Sequence, residues 1–210
     1  YYVEEGVSVT SMIDRAKLAE ESILSDHVQP FAVFDDSMRR LYVDQMELMS
    51  EYETAIANEE FKVYYQPVVE ATSGNLISAE ALVRWVHPQR GLVSPAAFIP
   101  ALENGGHISK LDWFIADRVA KVDQRCYAEG IPVVPVSVNL SWMDFYDEEM
   151  LQRLVELLKS DAIKKGDIRL EITETSYAAL ESDREKILEE FHLSGAKILL
   201  DDFGLSLIHI

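Results

Sequence analysis

Oxygen-bearing side chains recur on four predicted strands of this 210-residue chain, on one face or at the C-terminal end of each strand. They are Glu80, Asn139, Glu171, Asp201 and Asp202. Because the side chains of a strand alternate between its two faces, each strand can pack an apolar face and point these groups the other way. Helical patterns separate the strands, which predicts a parallel βα arrangement with its functional groups at the strand ends.

The strand predicted over residues 78–86 carries an acid and a base on one face, Glu80 and Arg84. A buried charge without a partner is costly, so these two side chains need an explanation. From this strand alone two interpretations stay open. The two side chains pair with each other, or they line a site in which Glu80 holds a cation and Arg84 an anion. The later strands favour a site, since four consecutive strands with such groups are hard to explain as unrelated core residues.

The chemistry of this set indicates a hard divalent cation. If Glu80, Asn139, Glu171 and Asp201 converge, the like charges raise one another's pKa and cannot all be ionised at low cost. An all-oxygen set favours Mg²⁺ or Mn²⁺ over Zn²⁺. Asp202 adds ligands for a second ion about 4 Å away, which is the two-metal arrangement of phosphodiester hydrolysis.

Five short motifs follow one another in the order of a known family. They are Gln66-Pro67, Glu80-Ala81-Leu82 with Arg84 and Trp85, Val138-Asn139-Leu140-Ser141, Glu171-Ile172-Thr173-Glu174 and Asp201-Asp202-Phe203-Gly204. Each motif is weak alone, but all five in order on predicted strand ends are highly specific. From about residue 59 to residue 204 the sequence resembles the EAL domain, the bacterial cyclic di-GMP phosphodiesterase family.

The resemblance implies an α/β fold, a TIM-like βα barrel with an antiparallel first strand that is truncated after about the fifth strand. It implies metal-dependent hydrolysis of cyclic di-GMP to linear pGpG. In that family's pattern Glu80, Asn139, Glu171 and Asp201 bind the metal, and Asp202 binds a second ion.

Further residues receive roles from the same resemblance. Gln66 matches a position that contacts the ligand, and Arg84 can grip a phosphate oxygen bidentately. Glu174 is expected to anchor the loop after the last of these strands, which in the family gates the site and mediates dimerisation. From the residues alone Glu174 could equally cap a helix. The expected catalytic residues are therefore Glu80, Glu174 and Asp202.

Composition limits the partners and the location. A net charge of −18 argues against a DNA or RNA duplex as a partner, because phosphate binding needs a basic surface. The single cysteine, Cys126, excludes a disulfide framework and fits a reducing cytosol. With no bilayer-spanning apolar run and no signal peptide, we expect a cytoplasmic location, which a membrane-anchored parent would also allow. The resemblance allows a homodimer of the complete protein.

The domain organisation is predicted in four parts. Residues 1–40 resemble the C-terminal end of a GGDEF-like domain, with a helical linker as the alternative. Residues 41–58 are predicted to be a linker helix and residues 59–204 a partial EAL barrel. Residues 205–210 are interpreted as a non-native tail and left out of fold reasoning.

We expect the isolated chain to be inactive and poorly stable, while its parent is a phosphodiesterase. Family residues on later strands have no counterpart here, and an unclosed sheet exposes an edge. Two other function classes stay open. One is a degenerate EAL domain that binds cyclic di-GMP without cleaving it, and a distant third is a scaffold whose acids only cap helices and pair.

Overall fold

The computed structural model describes residues 7–24, 31–161, 163–173, 176–177 and 185–201. By internal contacts the chain divides into two compact units, residues 1–53 and 54–210. The predicted domain boundaries stay predictions. Glu174, Asp202 and the predicted tail 205–210 lie outside the described residues.

The first unit contains helix α1, Val9–Leu24, and most of helix α2, Asp36–Ala57. The sequence pattern predicts helices over residues 9–23 and 37–57, and both are confirmed. The apolar run at residues 31–35 predicts a short strand. This prediction is wrong, because the stretch joins no ladder among the described residues. Instead, Asp35 Oδ1 accepts the backbone N–H groups of Ser37 at 2.6 Å and Met38 at 3.2 Å, which caps the start of α2.

The second unit alternates strands and helices. Its strands are β1 Phe61–Val69, β2 Leu76–His87, β3 Gly91–Val93, β4 Val136–Asn139, β5 Ile168–Thr173 and β6 Lys197–Asp201. Its helices are α3 Pro95–Asn104, α4 Ile108–Glu129, α5 Glu148–Lys159 and α6 Glu185–Ser194, with a 3₁₀ helix at Trp142–Tyr146. No helix in the described ranges is both long enough and apolar enough to cross a bilayer.

These strands form one mixed sheet with the order β1-β2-β4-β5-β6, and β3 pairs with β2. The pair β1–β2 is antiparallel, as the short turn between the two strands predicted. The pairs β2–β4, β4–β5 and β5–β6 are parallel. The carboxyl ends of these strands therefore lie on the same side of the sheet, where Asn139 and Asp201 end β4 and β6.

One face of β2 carries the apolar core. Ala79, Ala81, Val83 and Trp85 are all buried on that face. Phe61 and Trp85 pack with ring centroids 4.8 Å apart. Burial of these side chains fixes which face of β2 is turned to the helices, and so fixes which face carries Glu80 and Arg84.

Helix α4 packs along a stripe that repeats every three or four residues and ends at Gly130 in the left-handed conformation. The sequence predicts a core stripe of Leu111, Phe114, Ile115, Val119 and Val122. It is right for Leu111, Ile115 and Val119, whereas Phe114 and Val122 are only half-buried. The buried stripe also contains two acids that the sequence analysis missed, Asp112 and Asp123.

Two local predictions need correction. The apolar–polar alternation over residues 133–141 predicts a strand there, but the structure has the shorter β4. It starts after Pro135, which has no N–H to donate, although the Pro135 carbonyl still accepts the Ala79 N–H at 2.9 Å. The residues at 87–91 predict a loop. Residues 88–90 do form a turn, but its two ends belong to β2 and β3, where Trp85 faces Val93 in an antiparallel ladder. His87 is buried in this corner, and its Nδ1 accepts backbone N–H groups.

Candidate metal and ligand site

Strand register places four of the predicted residues on one face of the sheet. Glu80 on β2 lies level with Ser137 on β4, and Asn139 lies two residues further along β4 on the same face. Asn139 in turn lies level with Glu171 on β5. Since paired residues of neighbouring strands point to the same side, all of these side chains share one face.

The last of the four continues the same stagger. Thr173 is two residues beyond Glu171, and it lies level with Asp201 on β6. A stagger of about one residue per strand is what the tilted strands of an eight-stranded βα barrel require. Glu80, Asn139, Glu171 and Asp201 follow this stagger. Their side chains can therefore face one another at the mouth of a curved sheet.

The first two of these residues are in direct contact. Asn139 Nδ2 donates to Glu80 Oε1 at 3.2 Å, linking β2 to β4. Gln66 on β1 lies opposite Glu80 in the antiparallel ladder and shares its face. The amide of Gln66 therefore borders the site from the side of β1.

Glu171 lies among charged neighbours on the same face of the sheet. Burial raises the pKa of its carboxyl, a hydrogen bond from Ser137 lowers it, the nearby carboxylates Glu80 and Asp201 raise it, and the positive charge of Arg169 lowers it. A further positive charge held beside these acids would relieve the repulsion among them. Ser137 was not identified from the sequence as a site residue. Its position two residues before Asn139, on the same face of the strand, was a usable signal.

Arg84 does not pair with Glu80. The guanidinium Nη1 donates to the carbonyl of Val83 at 2.8 Å, and no ion pair joins the two side chains in the part of the chain that the structure describes. Residues four positions apart are neighbours on a helix face, but on a strand they are about 13 Å apart. Of the two interpretations, pairing is thus wrong, and Arg84 lies on the carboxyl-end side of Glu80.

The donor set fits a hard divalent cation in its chemistry. Glu80, Glu171 and Asp201 offer carboxylate oxygens and Asn139 an amide oxygen, with no sulfur or imidazole among them. Within the described ranges, however, no group of three or more His, Cys, Asp or Glu side chains is gathered closely enough to hold a metal ion.

The family model of the EAL domain matches residues 49–209. This chain belongs to the EAL domain family. The matched range covers the whole sheet, including all four strand-end residues described above.

Curated relatives of the EAL chain are longer proteins. It is 30% identical over 202 residues to the Escherichia coli protein named cyclic di-GMP phosphodiesterase PdeR, covering 96% of this chain and 30% of that protein. It is 30% identical over 175 residues to the Pseudomonas aeruginosa protein named bifunctional diguanylate cyclase/cyclic di-GMP phosphodiesterase MucR, covering 83% of this chain and 25% of that protein. The chain therefore spans under a third of the length of these relatives.

A solved structure described as the PaMucR phosphodiesterase in complex with c-di-GMP has the same fold, with a TM-score of 0.69 and 29% sequence identity. The match covers 75% of this chain and 64% of that chain. The predicted fold class, a TIM-like α/β barrel with an antiparallel first strand, is thereby confirmed.

Proposed function

We propose that this EAL chain is part of a cyclic di-GMP phosphodiesterase that hydrolyses the cyclic dinucleotide to linear pGpG. The observation that carries the proposal is the line of Glu80, Asn139, Glu171 and Asp201 along one face of the parallel strands β2, β4, β5 and β6. The printed names of PdeR and MucR, together with the ligand of the PaMucR structure, support the choice of substrate.

Mg²⁺ or Mn²⁺ is the proposed cofactor. The residues to hold it are Glu80, Asn139, Glu171 and Asp201, with Asp202 at a second ion. A bound divalent ion supplies a water of lowered pKa and neutralises negative charge on the phosphate. Glu80 and Glu171 must both be ionised to serve as ligands, and Asn139 orients Glu80 by donating to its Oε1.

Substrate binding is proposed for two residues at the edge of the same face. Arg84 is half-buried, which strengthens its attraction for an anion, and its guanidinium can meet two phosphate oxygens. Because Arg84 lies about 13 Å along the strand from Glu80, it suits the phosphate that is not being cleaved. Gln66, exposed and opposite Glu80, offers both a donor and an acceptor to the ligand.

Other roles follow from family membership. Glu174 is proposed to anchor the loop after β6 and to take part in catalysis with Glu80 and Asp202. A homodimer is proposed for the complete protein, with that loop near its interface. We propose a cytoplasmic location, where this second messenger is available as substrate.

The proposal is tested on the 210-residue chain and on the longer protein that carries it. Calorimetry measures binding of Mg²⁺, Mn²⁺ and cyclic di-GMP to the chain, and chromatography measures conversion to pGpG by the longer protein. We expect Glu80→Gln to abolish conversion. The exposed Glu149→Gln on α5 is the matched control and should leave it unchanged. Failure of the longer protein to release pGpG with either metal would refute the proposal.

A second candidate is a receptor that binds cyclic di-GMP without cleaving it. The observation in its favour is that, among the described residues, the acids are not gathered at ligand spacing. A receptor would bind cyclic di-GMP tightly without added metal and would release no pGpG. Product analysis on the longer protein therefore separates the two candidates.

A further inference from the structure

A pair of buried carboxyl groups lies beneath the turn that follows β4. Asp112 belongs to α4 and is 6% exposed, and Asp144 belongs to the 3₁₀ helix and is fully buried. Neither acid is one of the strand-end residues. Both lie on the carboxyl-end side of the sheet, because α4 begins there and the 3₁₀ helix follows β4 directly.

Both acids accept a hydrogen bond from the same backbone N–H group. The N–H of Ser141 points to Asp144 Oδ2 at 2.8 Å and to Asp112 Oδ2 at 3.4 Å. Ser141 Oγ donates to Glu103 Oε1 at 3.3 Å, which adds a third acid from α3. Ser141 lies only two residues after Asn139, so these contacts fix the chain immediately beyond the strand end.

A capping box explains one acid but not the other. Ser141 and Asp144 form the capping box that starts the 3₁₀ helix. The Ser141 hydroxyl accepts the backbone N–H of Met143, and the Asp144 carboxylate accepts the backbone N–H of Ser141. A capping box needs a single acid. Asp112 comes from a helix 29 positions earlier in the sequence and is an additional carboxyl that the box does not require.

One carboxylate oxygen of the pair has no hydrogen-bond donor. Asp144 Oδ1 is buried, and no donor meets it in hydrogen-bond geometry within the described part of the chain. Two adjacent buried carboxylates also repel each other. One retained proton solves both problems, because a protonated carboxyl becomes a donor to its ionised neighbour.

The electrostatic surroundings agree with this arrangement. Burial, and next the charge of Asp144, raise the pKa of Asp112 well above its ordinary value. Burial raises the pKa of Asp144 to about 6, against hydrogen bonds from Asp112, Ser109 and the Ser141 backbone that lower it. Both shifts favour retention of one proton by the pair.

Two further acids face the pair from neighbouring elements. Glu103 on α3 raises the pKa of Asp112, and Asp147 at the start of α5 raises the pKa of Asp144. Burial raises the pKa of Glu103 itself. Each of these negative charges makes retention of the shared proton more favourable.

We propose that Asp112 and Asp144 share a single proton and act as a positioning pair that fixes Ser141 and, through it, Asn139. The shared proton is independent of the proposed function. The consequence for metal binding at Asn139 rests on that function.

Infrared difference spectroscopy of the 210-residue chain tests the shared proton. At pH 8 we expect the carbonyl band of a protonated carboxyl group, and we expect Asp112→Asn to remove it. The exposed Asp161→Asn is the matched control and should keep the band. If Asp112→Asn does not fold, Asp144→Asn serves the same purpose, since removal of either partner removes the need for the proton. A wild-type spectrum without the band, or a band that survives in both variants, would overturn the proposal.

Mg²⁺ calorimetry tests the positioning of Asn139. We expect Asp112→Ala to weaken Mg²⁺ binding at least threefold. In this variant the Ser141 N–H loses one acceptor, and Asp144 loses the carboxyl with which it shares a proton. Asp112→Asn keeps a neutral donor of the same shape and should recover most of the affinity. Equal affinities for the Ala variant and the wild type would overturn the positioning role. Absence of any Mg²⁺ binding by the wild type would instead count against the proposed function, while the infrared result still decides whether the proton is shared.

Discussion

The side-chain amide of Asn139 donates from Nδ2 to Glu80 Oε1 at 3.2 Å, joining the last residue of β4 to the middle of β2 across 59 positions of sequence. An amide that donates to one acid keeps its carbonyl oxygen for another partner. This contact therefore orients both groups toward the same space above the sheet. It also shows why an amide, and not a fourth acid, occupies this position.

Replacement of the amide tests this contact directly. Asn139→Asp exchanges a hydrogen bond for a like-charge pair beside Glu80, and we expect it to lower the free energy of unfolding by about 1–2 kcal/mol without metal. Addition of Mg²⁺ should recover that loss, because the new carboxylate is an additional ligand. Denaturant titration with and without Mg²⁺ measures both effects. Asn139→Ala is the control, for which Mg²⁺ should recover nothing.

Glu171 is expected to be needed for metal binding more than for stability. Glu171→Gln removes a carboxylate whose pKa is raised by burial and by Glu80 and Asp201. We expect at least tenfold weaker Mg²⁺ binding, about 1.4 kcal/mol, with unchanged or slightly greater stability of the metal-free chain. Calorimetry and denaturant titration measure the two quantities. Glu149→Gln, on an 85% exposed side chain, should change neither.

The aromatic cluster beneath β2 is predicted to dominate the stability of the second unit. Trp85 is fully buried, packs on Phe61 and Phe98, and donates from Nε1 to Glu60 Oε2 at 3.0 Å. We expect Trp85→Ala to cost about 3–5 kcal/mol of unfolding free energy, measured by denaturant titration. Trp85→Phe keeps most of the packing and should cost clearly less. Equal losses in the two variants would show that the hydrogen bond matters more than the packing.

Asp123 is predicted to make stability fall as the pH rises. Burial, and then the charge of Asp167, raise the pKa of Asp123 to about 7. The folded chain therefore binds more protons than the unfolded chain between about pH 4 and pH 7, so the free energy of unfolding falls with rising pH across that window. We expect Asp123→Asn to remove on the order of 2 kcal/mol of this fall. Unfolding measured at pH 4.5, 6 and 7.5 checks the slope.

The control for this pH series is Asp161→Asn, whose side chain is exposed. It should reproduce the wild-type slope. The same slope in Asp123→Asn would mean that another acid carries the pH dependence, and Asp112 would be the next residue to test.

The candidate site could be predicted in kind from the sequence but not in geometry. Glu80, Asn139, Glu171 and Asp201 were identifiable because strands alternate with period two and because their motifs follow in family order. The strand of Glu80 and Arg84 alone left two interpretations open, and the structure removes pairing, because Arg84 donates to the carbonyl of Val83. Local reasoning also missed Asp112, although its spacing of four residues from both Ile108 and Ala116 places it on the buried stripe of α4.

The sequence by itself determined the periodicity of each element, the apolar face of β2, the stripe of α4 and the oxygen chemistry of the strand ends. These features depend on residues a few positions apart, so a local pattern is enough to specify them. Only the tertiary structure decided that Asn139 meets Glu80 and that Asp112 meets Asp144 beneath Ser141. Those pairs are set by the register between strands and by the packing of α4 against the turn after β4, which depend on burial across the whole sheet and leave no local signal in the chain.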